Sequence, residues 1–440
     1  MVTHHHLDHY GGLPHLLLAG YIVDHVICNE ATKMYIEEAC KKLEVPAAYM
    51  PKKWSIIDRE MDMKVGAFDL SFGWIPHSAI TNWVNVKTPE GSTFHFSDAK
   101  VDPTIKSHNP MNPERIAAMK PTVAVVDSTR AMQTEETEHE EVIEQRVVDF
   151  MNENPDKGVI AFHIGSNAAR MSGFVNAYGR TGRDTVVFGA AKRFLKKVLE
   201  RVGLRSEFNG KAGGAKFGLK ALARSHGREV VNFSPKAKLA NEILAGELGA
   251  QGLLATGTHN EVMSIANRLI ENKDMKNLGF ITPQKYVVIL SQTGIPGSTR
   301  EFNQFVDWLE RRGFNYKIIH ASGHEGRKGI LKMLDWAKAK YGLVSHGSTS
   351  QRNDAADIVK ASGMIPVDPA AQDVVQVSDK KGCKIIAQEP STRVYFSIKR
   401  PEDQHYGGGE DVEYYAHVAP PEMRSETGDN VKNIARLHPA

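Results

Sequence analysis

The hydrophobic residues of this chain follow two different periods in its first 150 positions. From Leu13 to Val26 they recur at helical spacing after a Gly-Gly turn, which predicts a buried helix. Between Lys64 and Asp98 they alternate with polar residues in short segments separated by Pro, Gly and Asn, which predicts a β-meander packed on one face. The Glu-rich segment at residues 134–150 predicts an amphipathic helix with a solvated face.

The pattern changes at about residue 157. From there to about residue 325, β-branched runs alternate with helical segments, as in the βαβ units of a parallel sheet. Residues 328–340 then have the apolar spacing of a helix, and the GLVSHG segment after them predicts a strand. The sequence therefore predicts an α/β fold in which a parallel-sheet domain is inserted into a first, β-rich domain.

We place the domain boundaries where these patterns change. Residues 1–142 and 326–400 are predicted to form the two parts of the first domain, and residues 143–325 the inserted domain. Residues 401–440 combine a Gly-Gly-Gly run and scattered prolines with weak periodicity, and we expect an irregular tail there.

The composition is that of an ordinary globular protein. Of the 440 residues, 24% are charged and 41% hydrophobic, and no apolar run approaches the ~18 residues of a membrane span. The formal net charge of +3 is too small to indicate a nucleic-acid-binding protein by itself. The three cysteines lack CxxC spacing, which argues against a zinc ribbon and a disulfide framework and predicts a reducing, cytoplasmic compartment.

Histidine is unusually frequent, with 19 in the chain, and several of these residues stand beside an aspartate near its start. In extended backbone, residues i and i+2 point the same way, so His4 and His6 can bind one metal ion while Asp8 and His9 face a second. The alternative is an expression-tag remnant or a solvated histidine cluster. Since a tag would not supply Asp8 or the Gly-Gly-Leu-Pro turn that follows, we predict a metal site.

This HxHxDH motif resembles that of the metallo-β-lactamase fold, an αββα sandwich. His77 in WIPHSAI and Asp98 in FHFSDAK resemble the third and fourth ligand motifs of that fold. Taken alone, His77 is more simply a hydrogen-bonded turn residue and Asp98 a turn residue or cap. The two motifs occur in the order expected for that fold, which supports both residues as ligands. The resemblance implies that Asp98 bridges two zinc ions.

Three further segments resemble the β-CASP nucleases, in which a second domain is inserted into the lactamase-like one. VVDSTRA resembles their acidic motif A at Asp127, SGHEG their motif B at His324, and VSHGS their motif C at His346. Motif C is histidine in the RNA-processing branch, whereas the DNA cross-link repair branch typically has valine. The resemblance therefore favours RNA as the substrate.

Within this group the sequence is most similar to ribonuclease J, from DSTRA through HIGSNAARMSGF to ASGMIPVDPAAQDVVQV. The resemblance implies two Zn²⁺ ions per chain. The implied ligands are His4, His6 and His77 for one ion, Asp8, His9 and His346 for the other, and Asp98 for both. The implied catalytic residues are Asp8, Asp98, Asp127 and His324. His324 would protonate the leaving oxygen or stabilise the oxyanion, and Asp127 would orient a neighbouring ligand or histidine.

The same resemblance implies an RNA channel along the SN-x-x-R segment and the SGH turn. The residues placed near RNA phosphates are Ser166, Asn167, Arg170, Ser322 and Gly323. Such contacts position the RNA backbone without reading its sequence. For Arg170 the alternative is a solvated helix arginine.

The predicted function is hydrolysis of single-stranded RNA by a zinc-dependent ribonuclease that acts as a 5′-to-3′ exonuclease, an endonuclease or both in RNA processing and decay. We expect 5′-monophosphorylated RNA as the partner and no membrane, and leave a homodimer open. Two alternatives remain: another hydrolase of the metallo-β-lactamase fold, acting on DNA, a thioester or a lactone, or a catalytically dead RNA-binding fragment. Zinc content and cleavage of labelled RNA would separate them.

Ribonuclease J has several strands before its HxHxDH motif, whereas this sequence begins three residues before His4. We therefore expect the lactamase-like sandwich to be N-terminally incomplete. The missing strands would be encoded upstream or supplied in trans by a separate polypeptide through edge pairing.

Overall fold

The computed structural model is an α/β fold built on one mixed and one parallel sheet. The residues that it describes are 1–57, 60–105, 112–189, 226–228, 230–232, 252–256, 281–293, 299–369, 373–388, 395–398 and 414–417. The described helices are α1 (Leu7–Tyr10), α2 (Gly12–Leu18), α3 (Glu30–Lys42), α4 (Pro113–Met119), α5 (Glu140–Asn152), α6 (Ala168–Arg180), α7 (Thr299–Arg311), α8 (Arg327–Ala337) and α9 (Thr349–Ala361). A short 3-10 helix covers Ala47–Tyr49.

The mixed sheet has the spatial strand order β15-β14-β7-β6-β5-β4-β3. Its strands are β3 (Met61–Val65), β4 (Phe68–Ile75), β5 (Thr81–Thr88), β6 (Gly91–His95), β7 (Val123–Asp127), β14 (Tyr341–Ser345) and β15 (Ile365–Val367). Strands β3 to β6 pair in antiparallel hairpins, which confirms the predicted meander. Strands β6, β7, β14 and β15 pair in parallel.

The parallel sheet has the order β10-β9-β11-β8-β12-β13. Its strands are β8 (Gly158–His163), β9 (Thr185–Gly189), β10 (Val230–Asn232), β11 (Gly252–Thr256), β12 (Tyr286–Ser291) and β13 (Tyr316–Ile318). Every residue of β8 and β12 is buried, as expected for central parallel strands covered on both faces. The predicted βαβ organisation is thus confirmed, and the chain returns afterwards to the mixed sheet, where β14 pairs with β7.

Three two-stranded sheets complete the described strands. They are β1 (His25–Asn29) with β2 (Lys53–Ile57), β16 (Asp373–Ser378) with β17 (Gly382–Gln388), and β18 (Tyr395–Ile398) with β19 (Tyr414–His417). The first pair is parallel and the other two are antiparallel. Strand β19 lies within the predicted tail, and the rest of residues 401–440 lies outside the described residues.

The helix predicted from Leu13 to Val26 is wrong in its second half. Helix α2 ends at Leu18, and Gly20 follows with a φ of +84°, a left-handed conformation that ends helices and favours glycine. The apolar side chain of Ile22 is exposed, and the chain then enters β1. No helix among the described residues is long and apolar enough to cross a membrane.

Strand direction determines where the polar residues gather. Strands β6, β7 and β14 are parallel neighbours, so their carboxyl ends meet at one edge of the mixed sheet. Strand β4 runs in the same direction as β6, because two antiparallel pairings separate them. The residues that follow or end these four strands are His77, Asp98, Asp127 and His346. This edge is the candidate site.

Candidate metal centre

The ligand loop, residues 4–9, runs along one side of this edge. His6 has an extended backbone and is the N-cap residue of α1, which carries Asp8 and His9. The Thr3 carbonyl accepts hydrogen bonds from the Asn82 N–H at 3.1 Å and from the Asn29 amide at 3.3 Å, which anchors the loop to β5 and β1. The change from extended backbone at His6 to helix α1 therefore directs the side chains of one short segment around a common centre.

Asp98 lies at that centre. Its side chain is 3% exposed. Residue Ser97 before it has a φ of +64°, and the Ser97 N–H donates to His95 Nδ1 at 2.8 Å. The imidazole nitrogens facing Asp98 Oδ2 are His9 Nε2 at 3.1 Å, His4 Nε2 at 3.7 Å and His77 Nε2 at 3.9 Å, and His346 Nδ1 lies 3.6 Å from Oδ1. One carboxylate thus contacts groups from three separate segments.

The structure groups the candidate ligands as two overlapping sets. The first is His4, His6, His77 and Asp98, and the second is Asp8, His9, Asp98 and His346. Within each set the ligand atoms lie within 4.8 Å of one another, and Asp98 is common to both. A third set consists of Asp98, Asp127, His324 and His346. The first two coincide with the partition that the sequence resemblance implied.

The chemistry of these residues fits metal binding. His4 Nε2 is buried without a hydrogen-bond partner in the part of the chain that the structure describes, and it faces Asp98. Burial lowers the pKa of His4 and of His77 well below the usual range and that of His6 to about 3. These imidazoles are therefore neutral at pH 7 and keep a lone pair for a cation. Nitrogen and carboxylate ligands in sets of four are typical of zinc.

His346 responds differently to its surroundings. Its hydrogen bonds to Asp127 and Asp8 raise its pKa to about 10, so without a metal ion it is an imidazolium between carboxylates. The distances are 3.2 Å from Nδ1 to Asp127 Oδ1 and 3.1 Å from Nε2 to Asp8 Oδ2. The Thr129 hydroxyl lies 2.7 Å from the same Nδ1. Binding of a cation here would release the proton.

Beside this cluster lies a histidine–carboxylate pair. His324 Nδ1 donates to Asp127 Oδ2 at 2.6 Å, and Asp127 Oδ1 accepts from the N–H and the hydroxyl of Thr129 at 2.9 and 2.6 Å. Burial lowers the pKa of His324, but the charge and hydrogen bond of Asp127 outweigh it and leave this pKa above its usual value. The raised pKa favours the protonated form of His324, which lies beside the candidate ligands His77 and His346 with ring centroids 5.1 and 5.4 Å away.

The SGHEG turn, residues 322–326, holds this pair against the ligands. The Gly323 carbonyl accepts from His77 Nδ1 at 2.7 Å, and the Ser322 hydroxyl accepts from the His324 N–H at 3.1 Å. A Cβ on Gly323 would lie 2.8 Å from the His77 ring, so only glycine fits without displacement. The turn therefore orients a candidate ligand as well as His324.

The residues predicted near RNA have partners within the protein. Ser166 bonds His5 through its backbone, and the Asn167 side chain caps α6 by accepting from the Arg170 N–H at 2.9 Å. Arg170 is 1% exposed, and its guanidinium donates to Glu140 at 2.7 and 3.0 Å, to the Ala321 carbonyl and to Ser291. The alternative of a solvated helix arginine does not apply to a side chain this deeply buried.

Several residues that support the site were not found from the sequence. They are Thr3, His95, Ser97, Thr129, Thr137 and Glu325. All except Thr137 stand within three residues of a predicted site residue, so proximity was the only signal for those five. Their partners lie in other segments, and only the folded chain reveals them.

Comparison with known proteins gives several distant relatives named ribonuclease J. Ribonuclease J of Sinorhizobium meliloti is 22% identical over 90% of this chain and 65% of its own length. Ribonuclease J of Thermus thermophilus and ribonuclease J 1 of Streptococcus pyogenes are 26% and 25% identical, each over 79% of this chain and 57% of their own length. The chain thus spans about 57–65% of the length of these curated relatives.

A solved structure from Enterococcus faecalis V583, described as a protein of unknown function, superposes with a TM-score of 0.54 at 13% identity. The superposition covers 84% of this chain and 78% of that protein, which shows a shared fold only. No protein-family model matches the chain.

Proposed function

This chain is a distant relative of the ribonucleases J, and on that premise we propose that it is a zinc-dependent ribonuclease that hydrolyses single-stranded RNA in RNA processing and decay. The observation that carries the proposal is the arrangement of six candidate ligands around Asp98, beside the Asp127–His324 pair.

We interpret the mixed sheet and its helices as an αββα sandwich of the metallo-β-lactamase type, formed by residues 1–142 and 326–400. Residues 143–325 are then an inserted β-CASP domain. The return of β14 to pair with β7 supports this division. The site lies at the carboxyl ends of the first domain's strands.

The two ligand sets would hold two zinc ions. His4, His6 and His77 would hold one, and the second set, with Asp98 shared, would hold the other. Zinc ions supply Lewis acidity, which provides a nucleophilic water at neutral pH and neutralises charge on the phosphate. Asp98, whose oxygens face histidines of both sets, would be a ligand common to both.

His324 would act as the general acid. Its Nδ1 proton is committed to Asp127, so Nε2 can hold the second proton of the imidazolium and deliver it to the leaving oxygen of the RNA. The Asp127 carboxylate keeps the ring in one orientation and stabilises the charged form. Asp127 is itself fixed by Thr129.

Single-stranded RNA with a 5′-monophosphate is the proposed substrate, cut from the 5′ end, internally or both. We keep Ser166, Asn167, Ser322 and Gly323 as proposed backbone contacts. For Arg170 we propose such a contact only if its ion pair with Glu140 opens, since the guanidinium is buried.

The test combines metal content with cleavage. The purified chain is assayed for zinc by elemental analysis and given a labelled 5′-monophosphate RNA, the same RNA with a 5′-triphosphate, and the same sequence as DNA. We expect two zinc ions per chain, and the monophosphate RNA cleaved fastest. A His324→Ala protein serves as the inactive control.

Other outcomes point to the other classes. Equal rates on DNA and RNA at matched salt would indicate a DNA nuclease. Hydrolysis of a thioester or lactone without cleavage of nucleic acid would indicate another hydrolase of this fold. RNA binding without cleavage by the zinc-loaded protein would indicate a dead fragment.

A further inference from the structure

Glu325 follows the candidate catalytic His324 directly, and its side chain is turned inward. The residue is 2% exposed. Its carboxylate accepts three backbone hydrogen bonds, from the N–H groups of Val101 at 2.6 Å, Thr137 at 2.6 Å and Gly326 at 2.8 Å. Two of these donors belong to segments far away along the chain.

Those two donors lie next to the site. Val101 stands three residues after Asp98, the shared candidate ligand. The Thr137 hydroxyl donates to the His324 carbonyl at 2.7 Å, so Thr137 connects to both residues of the turn. The Glu325 carboxylate thus joins the Asp98 segment, the segment before α5 and the SGHEG turn at one point.

A carboxylate in this position is costly unless it is well bonded. Glu325 forms no ion pair with lysine or arginine among the described residues, because the buried Lys100 contacts Asp102 and Glu140 instead. The three backbone N–H donors therefore offset the cost of burying the Glu325 carboxylate. Gly329 leaves room for the Glu325 side chain, since a Cβ on Gly329 would lie 2.2 Å from the Glu325 carboxyl carbon.

We propose that Glu325 is a positioning residue, whose carboxylate fixes the distance and orientation of His324 relative to Asp98. The inference rests on the proposed function, because it assigns Glu325 to the reaction that His324 serves. Glu325 itself would touch neither the RNA nor a metal ion.

The main test is Glu325→Gln, which keeps the volume of the side chain but replaces one acceptor by an NH₂ group that repels a backbone N–H. Supporting residues of this kind typically change activity about 10- to 100-fold. We expect kcat on RNA to fall by that factor, KM to stay within about twofold and zinc content to be unchanged. The imidazole nitrogen signals of His324 in ¹⁵N-histidine-labelled, zinc-loaded protein should shift.

Arg183→Met is the matched control. Arg183 is also a buried charged residue that bonds backbone groups, since its guanidinium donates to the carbonyls of Met151 and Asn154 at 3.2 and 2.9 Å at the end of α5. This variant should melt at a lower temperature while kcat and the His324 signals stay as in the unaltered protein. A merely structural role for Glu325 would give the same result in both variants.

Thr137→Val covers the case in which Glu325→Gln does not fold. It removes the bond to the His324 carbonyl and keeps the Thr137 N–H for Glu325, so we expect a shift of the His324 signals in the same direction and a smaller fall in kcat. The His324 signals are recorded without RNA, so they decide the inference even if the unaltered protein cleaves no nucleic acid. Unshifted His324 signals in the variant that folds would overturn it, whether or not the proposed ribonuclease activity holds.

Discussion

The ligand loop at residues 4–9 and the SGHEG turn at residues 322–326 face the same centre but are supported in opposite ways. Side chains of the ligand loop contact mainly other candidate ligands: His6 Nδ1 lies 3.1 Å from His77 Nε2, and His9 Nε2 lies 3.1 Å from Asp98. The turn is held largely by hydrogen bonds that involve backbone groups. The Glu325 carboxylate accepts from the N–H groups of Val101 and Thr137, and the Gly323 carbonyl accepts from His77. The Asp8 side chain is 60% exposed, whereas Glu325 is buried.

This difference indicates that a metal ion would order the ligand loop, whereas the fold alone orders the SGHEG turn. A loop whose side chains mainly face one another gains its order when a cation replaces those contacts. A turn whose carboxylate is saturated by N–H groups is ordered in advance, as efficient general acids require.

The largest effect is expected for Asp98→Ala. Its carboxylate contacts four histidines from both ligand sets, so the variant should lose most of its zinc and at least about 10³-fold in turnover. Elemental analysis and RNA cleavage measure both. Asp69→Ala, at an exposed position of β4, is the control and should change neither. An Asp98→Ala protein that keeps two zinc ions would refute the shared role.

A second prediction separates the two histidines that bond Asp127. His324→Ala should retain both zinc ions while turnover falls about 10²- to 10⁴-fold, the usual worth of a general acid. His346→Ala should lose turnover and also weaken zinc binding, because His346 belongs to the second ligand set. Titration of zinc into both metal-free variants distinguishes them. Equal zinc loss would show that the roles are assigned wrongly.

The sequence predicted this site better than its surroundings, for a physical reason. The ligands stand in short motifs at strand ends, where local spacing fixes which side chains face together, as for His4 and His6. The partners of Glu325 lie in other segments, and no local pattern encodes them. Arg170 has the sequence context of an RNA contact, yet Glu140 on the neighbouring helix draws its guanidinium inside.

Local sequence patterns also explain which parts of the fold could be predicted. Alternation in the meander reflects burial of one face, and the β-branched runs of the parallel sheet reflect burial of whole strands, so the sequence predicted both sheets. The segment from Leu13 to Val26 is largely apolar, and its periodicity cannot tell a helix from a helix followed by a strand. Pairing of β1 with β2, a contact between separate segments, decides its second half.

A smaller effect is expected for Gly323→Ala, which tests whether the turn also orients a ligand. The added Cβ would lie 2.8 Å from the His77 ring and must displace it or the turn. Zinc affinity should fall about 10- to 100-fold, as for other changes beside a ligand. Gly173→Ala in α6, where the nearest atom would be 3.8 Å away, is the control. Unchanged zinc affinity would show that the Gly323–His77 contact adjusts freely.

The smallest and most local effect is expected from removal of the metal ions. Treatment of the zinc-loaded protein with a chelator should raise amide hydrogen exchange in residues 4–10, where side-chain contacts among candidate ligands remain as the main support. Residues 322–327 should keep their protection, because Glu325 holds the turn whether or not a cation is present. Mass spectrometry of the peptides from both regions, before chelation, after it and after zinc is restored, gives the measurement. The α6 peptides serve as the internal control. If both regions lose protection equally, the turn is also organised by the metal ions. If both keep their protection, the ligand loop is ordered without metal ions, as the turn is.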